Sequence, residues 1–152
     1  MQKGFTLIEI LVVFAVMSAL LFSSMAAFDS YNRSQTFQTS VANIVSVLNV
    51  AKSRSLTQVK PSQCGTKVLQ GYQVSISTAT STYLLQVVCD TTVYTLSTGT
   101  LPSQVTFAAG ATTPILFAVS TGVVRSVSTV TINGYGKAKT ITVGGTGSIS
   151  VN

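Results

Sequence analysis

The chain has 152 residues, 46% of them hydrophobic and only 8% charged, with nine Lys and Arg against three Asp and Glu for a net charge of +6. A soluble domain ordinarily carries about 25% charged residues, so uncharged polar groups must carry the surface; Ser, Thr, Gln, Asn and Gly crowd the second half and suit an extracellular β-rich face. Enzyme chemistry is excluded on inventory: there is no His to act as base or ligand, the acids Glu9, Asp29 and Asp90 are scattered, and Gly144-Gly145-Thr146-Gly147 lacks the Lys-Ser/Thr of a phosphate loop. No cofactor and no metal site is expected. The basic excess has two readings, colloidal solubility and attraction to DNA or another anionic surface.

In chain order, residues 1–4, Met-Gln-Lys-Gly, form a short basic leader. An apolar run follows from Phe5 to Phe28, broken only by Thr6, Ser18, Ser23, Ser24 and one charge, Glu9. As a helix it spans roughly 36 Å, enough for a hydrocarbon core of about 30 Å, and Lys3 would hold the leader on the cytoplasmic side. A carboxylate in such a helix costs about 2.5–3.5 kcal/mol even on lenient insertion scales, which marks Glu9 as functional. Residues 5–60 contain neither Gly nor Pro. Past Asp29 polarity rises, yet Phe37, Val41, Ile44, Leu48 and Ala51 recur every three or four residues, with Val45 thickening the stripe. One helix is predicted over about 5–58, stopped by Pro61 and Gly65. Residues 5–28 form its membrane half and 29–60 its amphipathic half.

Residues 61–152 read as a β-rich head. Strands are predicted at Tyr72–Ile76, Tyr83–Cys89, Thr92–Leu96, Gln104–Phe107, Ile115–Val119, Val127–Ile132, Ile141–Val143 and Ile149–Val151. Gly99, Pro102, Gly110, Pro114, Gly122, Asn133-Gly134 and Gly144-Gly145 supply turn signals between them. The spacing suggests an antiparallel sheet or small sandwich covering the helix stripe, an α+β fold with a lollipop outline. Cys64 and Cys89 are the only cysteines; an even count in an exported chain favours a disulfide, the alternative being two buried thiols.

The segment Lys3-Gly4-Phe5-Thr6-Leu7-Ile8-Glu9, followed by the apolar run, resembles the class III signal of type IV prepilins and type II secretion pseudopilins. The resemblance implies a type IV pilin-like fold, cleavage between Gly4 and Phe5 by a prepilin peptidase, and N-methylation of the new Phe5 amine. It also implies that Glu9 pairs with that amine on the same or a neighbouring subunit. Glu9 lies four residues from Phe5 and so shares its helical face. A secretory signal peptide cut after Ser24-Met25-Ala26 and a plain single-span anchor are the competing readings; both leave Glu9 without a purpose.

Many major pilins carry Pro at the position of Ala26, so its absence leans toward minor pilins and pseudopilins. The C-terminal part also resembles the GspH/FimT-like family, through Phe117…Gly122, Ser128–Ile132 and Thr140–Val143…Gly147–Val151. DNA-binding members carry Gly-Arg-x-Arg where this chain reads Gly147-Ser148-Ile149-Ser150. Candidate nucleic-acid contacts are therefore Lys137 and Lys139 upstream, and Lys52 and Arg54 in a cluster with Lys60 and Lys67 near the helix end; solvated lysines complementing the helix dipole are the bland alternative. The function implied is a structural subunit of a type IV pilus or type II secretion-like filament. Its precursor would sit in the cytoplasmic membrane and be delivered to a filament at the cell surface or in the periplasm, with other pilin or pseudopilin subunits as partners. A major pilin forming the shaft, a DNA-uptake minor pilin and a non-assembling membrane-anchored binding module remain as alternatives.

Overall fold

A computed structural model of the chain describes residues 6–152; within its first helix the side chains of residues 21–24, 26 and 27 lie outside the description. The leader, Gly4 and Phe5 also fall outside the described residues. Helix α1 runs from Leu7 to Leu56, 50 residues. Thr6 and Glu9 have the spacing of a capping box, and the Glu9 N–H donates toward Thr6 Oγ1 at 3.4 Å and Thr6 O at 3.1 Å. The far end closes with Gln58 in the left-handed region at φ 53°. Val59 N–H donates to Arg54 O at 3.3 Å and Gln58 N–H to Ser55 O at 3.4 Å, the paired bonds of a Schellman ending. The helix thus ends at Leu56, short of Pro61, because Gln58 takes the left-handed position; a Gln there, unlike a Gly, gives no turn signal in the sequence.

The chain divides into two compact units between Thr36 and Phe37. In the first, the described apolar side chains are exposed all round the helix: Leu7 is 82% exposed, Phe14 69%, Leu20 64% and Phe28 71%. Asp29 and Arg33, one turn apart, pair at 2.8 Å on the surface. Among the described residues no helix is long and apolar enough to cross a membrane; the span expected at residues 5–28 includes side chains outside the description.

In the second unit the stripe is buried as its period requires. Phe37, Val41, Ile44, Leu48 and Ala51 all join the core, with Val45 half-buried beside them. Eight strands follow in the same unit: β1 (Leu69–Ser77), β2 (Thr82–Cys89), β3 (Thr92–Thr100), β4 (Val105–Phe107), β5 (Ile115–Ala118), β6 (Ser128–Gly134), β7 (Lys137–Val143) and β8 (Ile149–Val151). They form two antiparallel four-stranded sheets, in the orders β3-β2-β1-β5 and β4-β6-β7-β8. Alternate residues point inward: Tyr72, Val74, Val87, Ile115 and Phe117 from one sheet, and Val130, Ile132, Ile141 and Val143 from the other, are fully buried.

Two turn expectations are corrected. Gly99 lies inside β3 opposite Tyr83, and a Cβ there would run into the Tyr83 ring, so this glycine makes room for an aromatic across the ladder. Asn133-Gly134 closes β6 instead of turning the chain. Gly134 pairs with Lys137, and a Cβ on it would meet Val105 at 3.0 Å and Phe37 at 3.1 Å. The two-residue turn is Tyr135-Gly136, at φ 52° and 73°, the pair of positive φ values that matches strand twist in a tight hairpin.

Candidate functional site

Glu9 sits in the first turn of α1, where a carboxylate suits the helix dipole, and it is exposed among exposed neighbours. Leu7, Ile8, Leu11 and Val12 around it are between 55% and 82% exposed. Nothing in the described chain buries this end of the helix, so its apolar surface and its one acid are presented outward together.

The other end of α1 is pinned into the head by a residue the sequence did not single out. Ser55 is fully buried. Its Oγ donates to Phe117 O at 2.9 Å and accepts the Tyr72 N–H at 3.1 Å, while its own carbonyl accepts the Ser120 N–H at 2.9 Å. The hydroxyl is thus inserted where β1 and β5 meet, since Tyr72 and Phe117 are register partners. Gly71 beside it allows the close approach, because a Cβ there would strike the Phe117 carbonyl. Tyr72 adds a second tie, its hydroxyl donating to Val59 O at 2.7 Å just past the helix end. Burial pushes the Tyr72 phenol above its ordinary pKa, against a smaller pull from the Arg54 guanidinium lying 6.0 Å from the ring centroid. Ser55→Ala is expected to cost about 1–3 kcal/mol, since it leaves a buried N–H and a buried carbonyl without partners. Urea unfolding reads this as a lower midpoint at unchanged slope, and an unmoved midpoint would refute the pin.

Cys64, in the 3-10 turn Ser62–Cys64, and Cys89 at the end of β2 form a disulfide with their Cα atoms 5.6 Å apart. Both are buried.

The candidate nucleic-acid residues are not brought together. Lys137 and Lys139 lie at the Tyr135-Gly136 end of β7, near Phe37 through Gly134. Lys52 lies against Gly122 and Gly147 at the other end of the head: its Cγ and Cε are each 3.6 Å from where a Cβ on those glycines would stand. Fifteen helical residues, roughly 22 Å, separate Phe37 from Lys52 along α1. Lys67 is occupied, its Nζ donating to Thr92 Oγ1 at 2.7 Å and Tyr94 O–H at 3.2 Å. Arg125, absent from the sequence reading, follows Val124, whose N–H donates to Gly145 O at 2.9 Å beside the Gly147 turn. Among the described residues no cluster of three or more His, Cys, Asp or Glu could hold a metal ion.

The prokaryotic N-terminal methylation motif matches residues 1–25. No curated protein matches the chain in sequence. In fold the chain is similar to the minor pseudopilin EpsH from the type 2 secretion system of Vibrio cholerae, with TM-score 0.57 and 18% identity over 76% of this chain and 95% of that one. Both parts are therefore pilin-like: a prepilin methylation motif opens the chain, and a long helix followed by antiparallel sheets gives it the α+β fold of a minor pseudopilin.

Proposed function

We propose that the chain is a structural subunit, a minor pilin or pseudopilin, of a type IV pilus or type II secretion-like filament, and not an enzyme. The observation that carries this is the continuity of the methylation motif with a helix whose described apolar side chains are exposed on every side. Exposed apolar surface of that extent needs a partner, and a bilayer and a bundle of like helices each supply one. In this reading a prepilin peptidase cuts between Gly4 and Phe5 and the new amine is methylated. The precursor is held in the cytoplasmic membrane by residues 5–28. Assembly with other pilin or pseudopilin subunits then exchanges lipid for neighbouring helices, and the head is carried to the periplasm or the cell surface.

Glu9 sets the register of that exchange, because an unpaired carboxylate among apolar helices is costly and the Phe5 amine of a neighbour relieves it. DNA capture draws little support, since its four candidate cations lie in two places. N-terminal and intact-mass spectrometry of the protein from its native membrane or filament fraction is expected to find a chain beginning at N-methylated Phe5. A chain beginning at Ala27, or an uncut Met1, would overturn the proposal. Its abundance in sheared filaments distinguishes a minor subunit from a shaft-forming one.

A further inference from the structure

The C-terminal end of α1 and the two loops packed on it gather four cations. Lys52 lies against Gly122 and Gly147, Arg54 over the Tyr72 ring, Lys60 one residue past the Val59 carbonyl that Tyr72 holds, and Arg125 next to the Val124–Gly145 hydrogen bond. Arg54, Lys60 and Arg125 are exposed, and Lys52 is half-buried. Among the described residues none of the four is in an ion pair. The one acid of residues 37–152 is Asp90, whose Oδ1 is engaged by the Val68 N–H at 3.1 Å. A helix C-terminus carries only about half a negative charge, so four cations leave this end strongly positive.

Aliphatic side chains stand exposed among them. Leu56 is 43% exposed, Val59 49% and Val123 46%. Leu56 packs against Gly122, the residue before Val123, with its Cδ2 3.1 Å from where a Cβ would stand. A surface for single-stranded nucleic acid would be expected to offer aromatic rings for stacking, and no aromatic of residues 37–152 is among the exposed large side chains; a duplex, held by phosphate contacts alone, is the competitor the test includes. Cations set among exposed aliphatics, with no acid between them, match the chemistry of anionic headgroups over an acyl boundary.

We propose that this end of the head, built on Lys52, Arg54, Lys60 and Arg125 around Leu56 and Val123, docks on the face of an anionic phospholipid bilayer. It is a second membrane contact, separate from residues 5–28. The docking is peripheral, driven by charge and sensitive to salt.

The test uses the full chain carried in phosphatidylcholine vesicles and protein-free acceptor vesicles with a second fluorophore. Acceptors containing phosphatidylglycerol should be captured and phosphatidylcholine acceptors should not, with capture lost in high salt. Replacing the four cations together by Gln should lower capture about tenfold or more, each Lys or Arg near an anionic surface contributing separately. Lys137→Gln with Lys139→Gln, which removes charge from the opposite end, should leave it intact. Val59→Gln with Val123→Gln should weaken it while sparing the electrostatic component. Equal capture of both acceptor types, or an equal loss in the Lys137/Lys139 variant, would overturn the proposal, as would retention of a DNA duplex in place of the anionic vesicles. Flotation of the chain with its donor vesicles reports separately on residues 5–28. If the chain stays free of the donors, flotation of that free chain with each acceptor type tests the basic end alone.

Discussion

Glu9→Ala is expected to leave the head folded while lowering incorporation into filaments at least tenfold. The head's stability should be untouched, because its buried core begins at Phe37 and exposed substitutions away from such features usually stay within about 0.5 kcal/mol. The membrane precursor should gain, since a carboxylate in the apolar run costs about 2.5–3.5 kcal/mol. On the proposed pairing the variant lacks the partner for the Phe5 amine, and a neighbouring helix has no charge to align on. Glu9 also stands at the third position after the Thr6 cap, and Glu9→Gln separates the two roles. Gln serves a capping box as Glu does but carries no charge. If register is the point, Gln fails as Ala does; if capping is the point, Gln restores assembly. Normal filaments from Glu9→Ala, with normal thermal unfolding of the head, would remove Glu9 from the mechanism.

The strands were legible because each sheet buries one face. Val130, Ile132, Ile141 and Val143 alternate with Thr and Ser in the sequence for the same reason that they are fully buried in the fold. The helix stripe was legible on the same grounds at the other period. The errors share a cause too. Gly99 and Gly134 looked like turn residues, but each is a glycine because another element comes close, Tyr83 in one case and Phe37 with Val105 in the other. Such contacts are long-range and leave no local trace. Ser55 was missed for that reason: as a serine late in a helix it is unremarkable until β1 and β5 are known to meet at Tyr72 and Phe117. The basic end was half legible. Lys52 and Arg54 stood out in the sequence, whereas Arg125 joins them only through the packing of the 119–125 and 144–148 loops. The Thr6-x-x-Glu9 spacing of the cap is itself readable in the sequence.

Replacing both Cys64 and Cys89 by Ala is expected to give the largest loss of stability in the head. The bridge spans a sequence separation of 25, for which the chain-entropy account gives about 3 kcal/mol, and a loss of that size should lower the melting temperature by roughly 10 °C. The place it ties explains why the loss should be felt. Cys64 belongs to the segment between the end of α1 and β1, which has no strand pairing of its own, while Cys89 ends β2 beside Leu69. Two hydrogen bonds clasp the same corner, Asp90 N–H to Val68 O at 2.8 Å and Val68 N–H to Asp90 Oδ1 at 3.1 Å. Without the bridge these hold the segment together with the Tyr72 hydroxyl on Val59 and the Lys67 ammonium on Thr92 and Tyr94. A reductant added to the wild-type chain should reproduce the lower melting temperature and leave the double-Ala variant unchanged. If the variant melts with the wild type, the hydrogen-bonded clasp is what fixes the helix end to the sheet, and the disulfide adds nothing at equilibrium. Lys60 lies in that same segment, so a real loss of order there should also reduce capture of anionic vesicles, linking the covalent tie to the basic end it helps to hold.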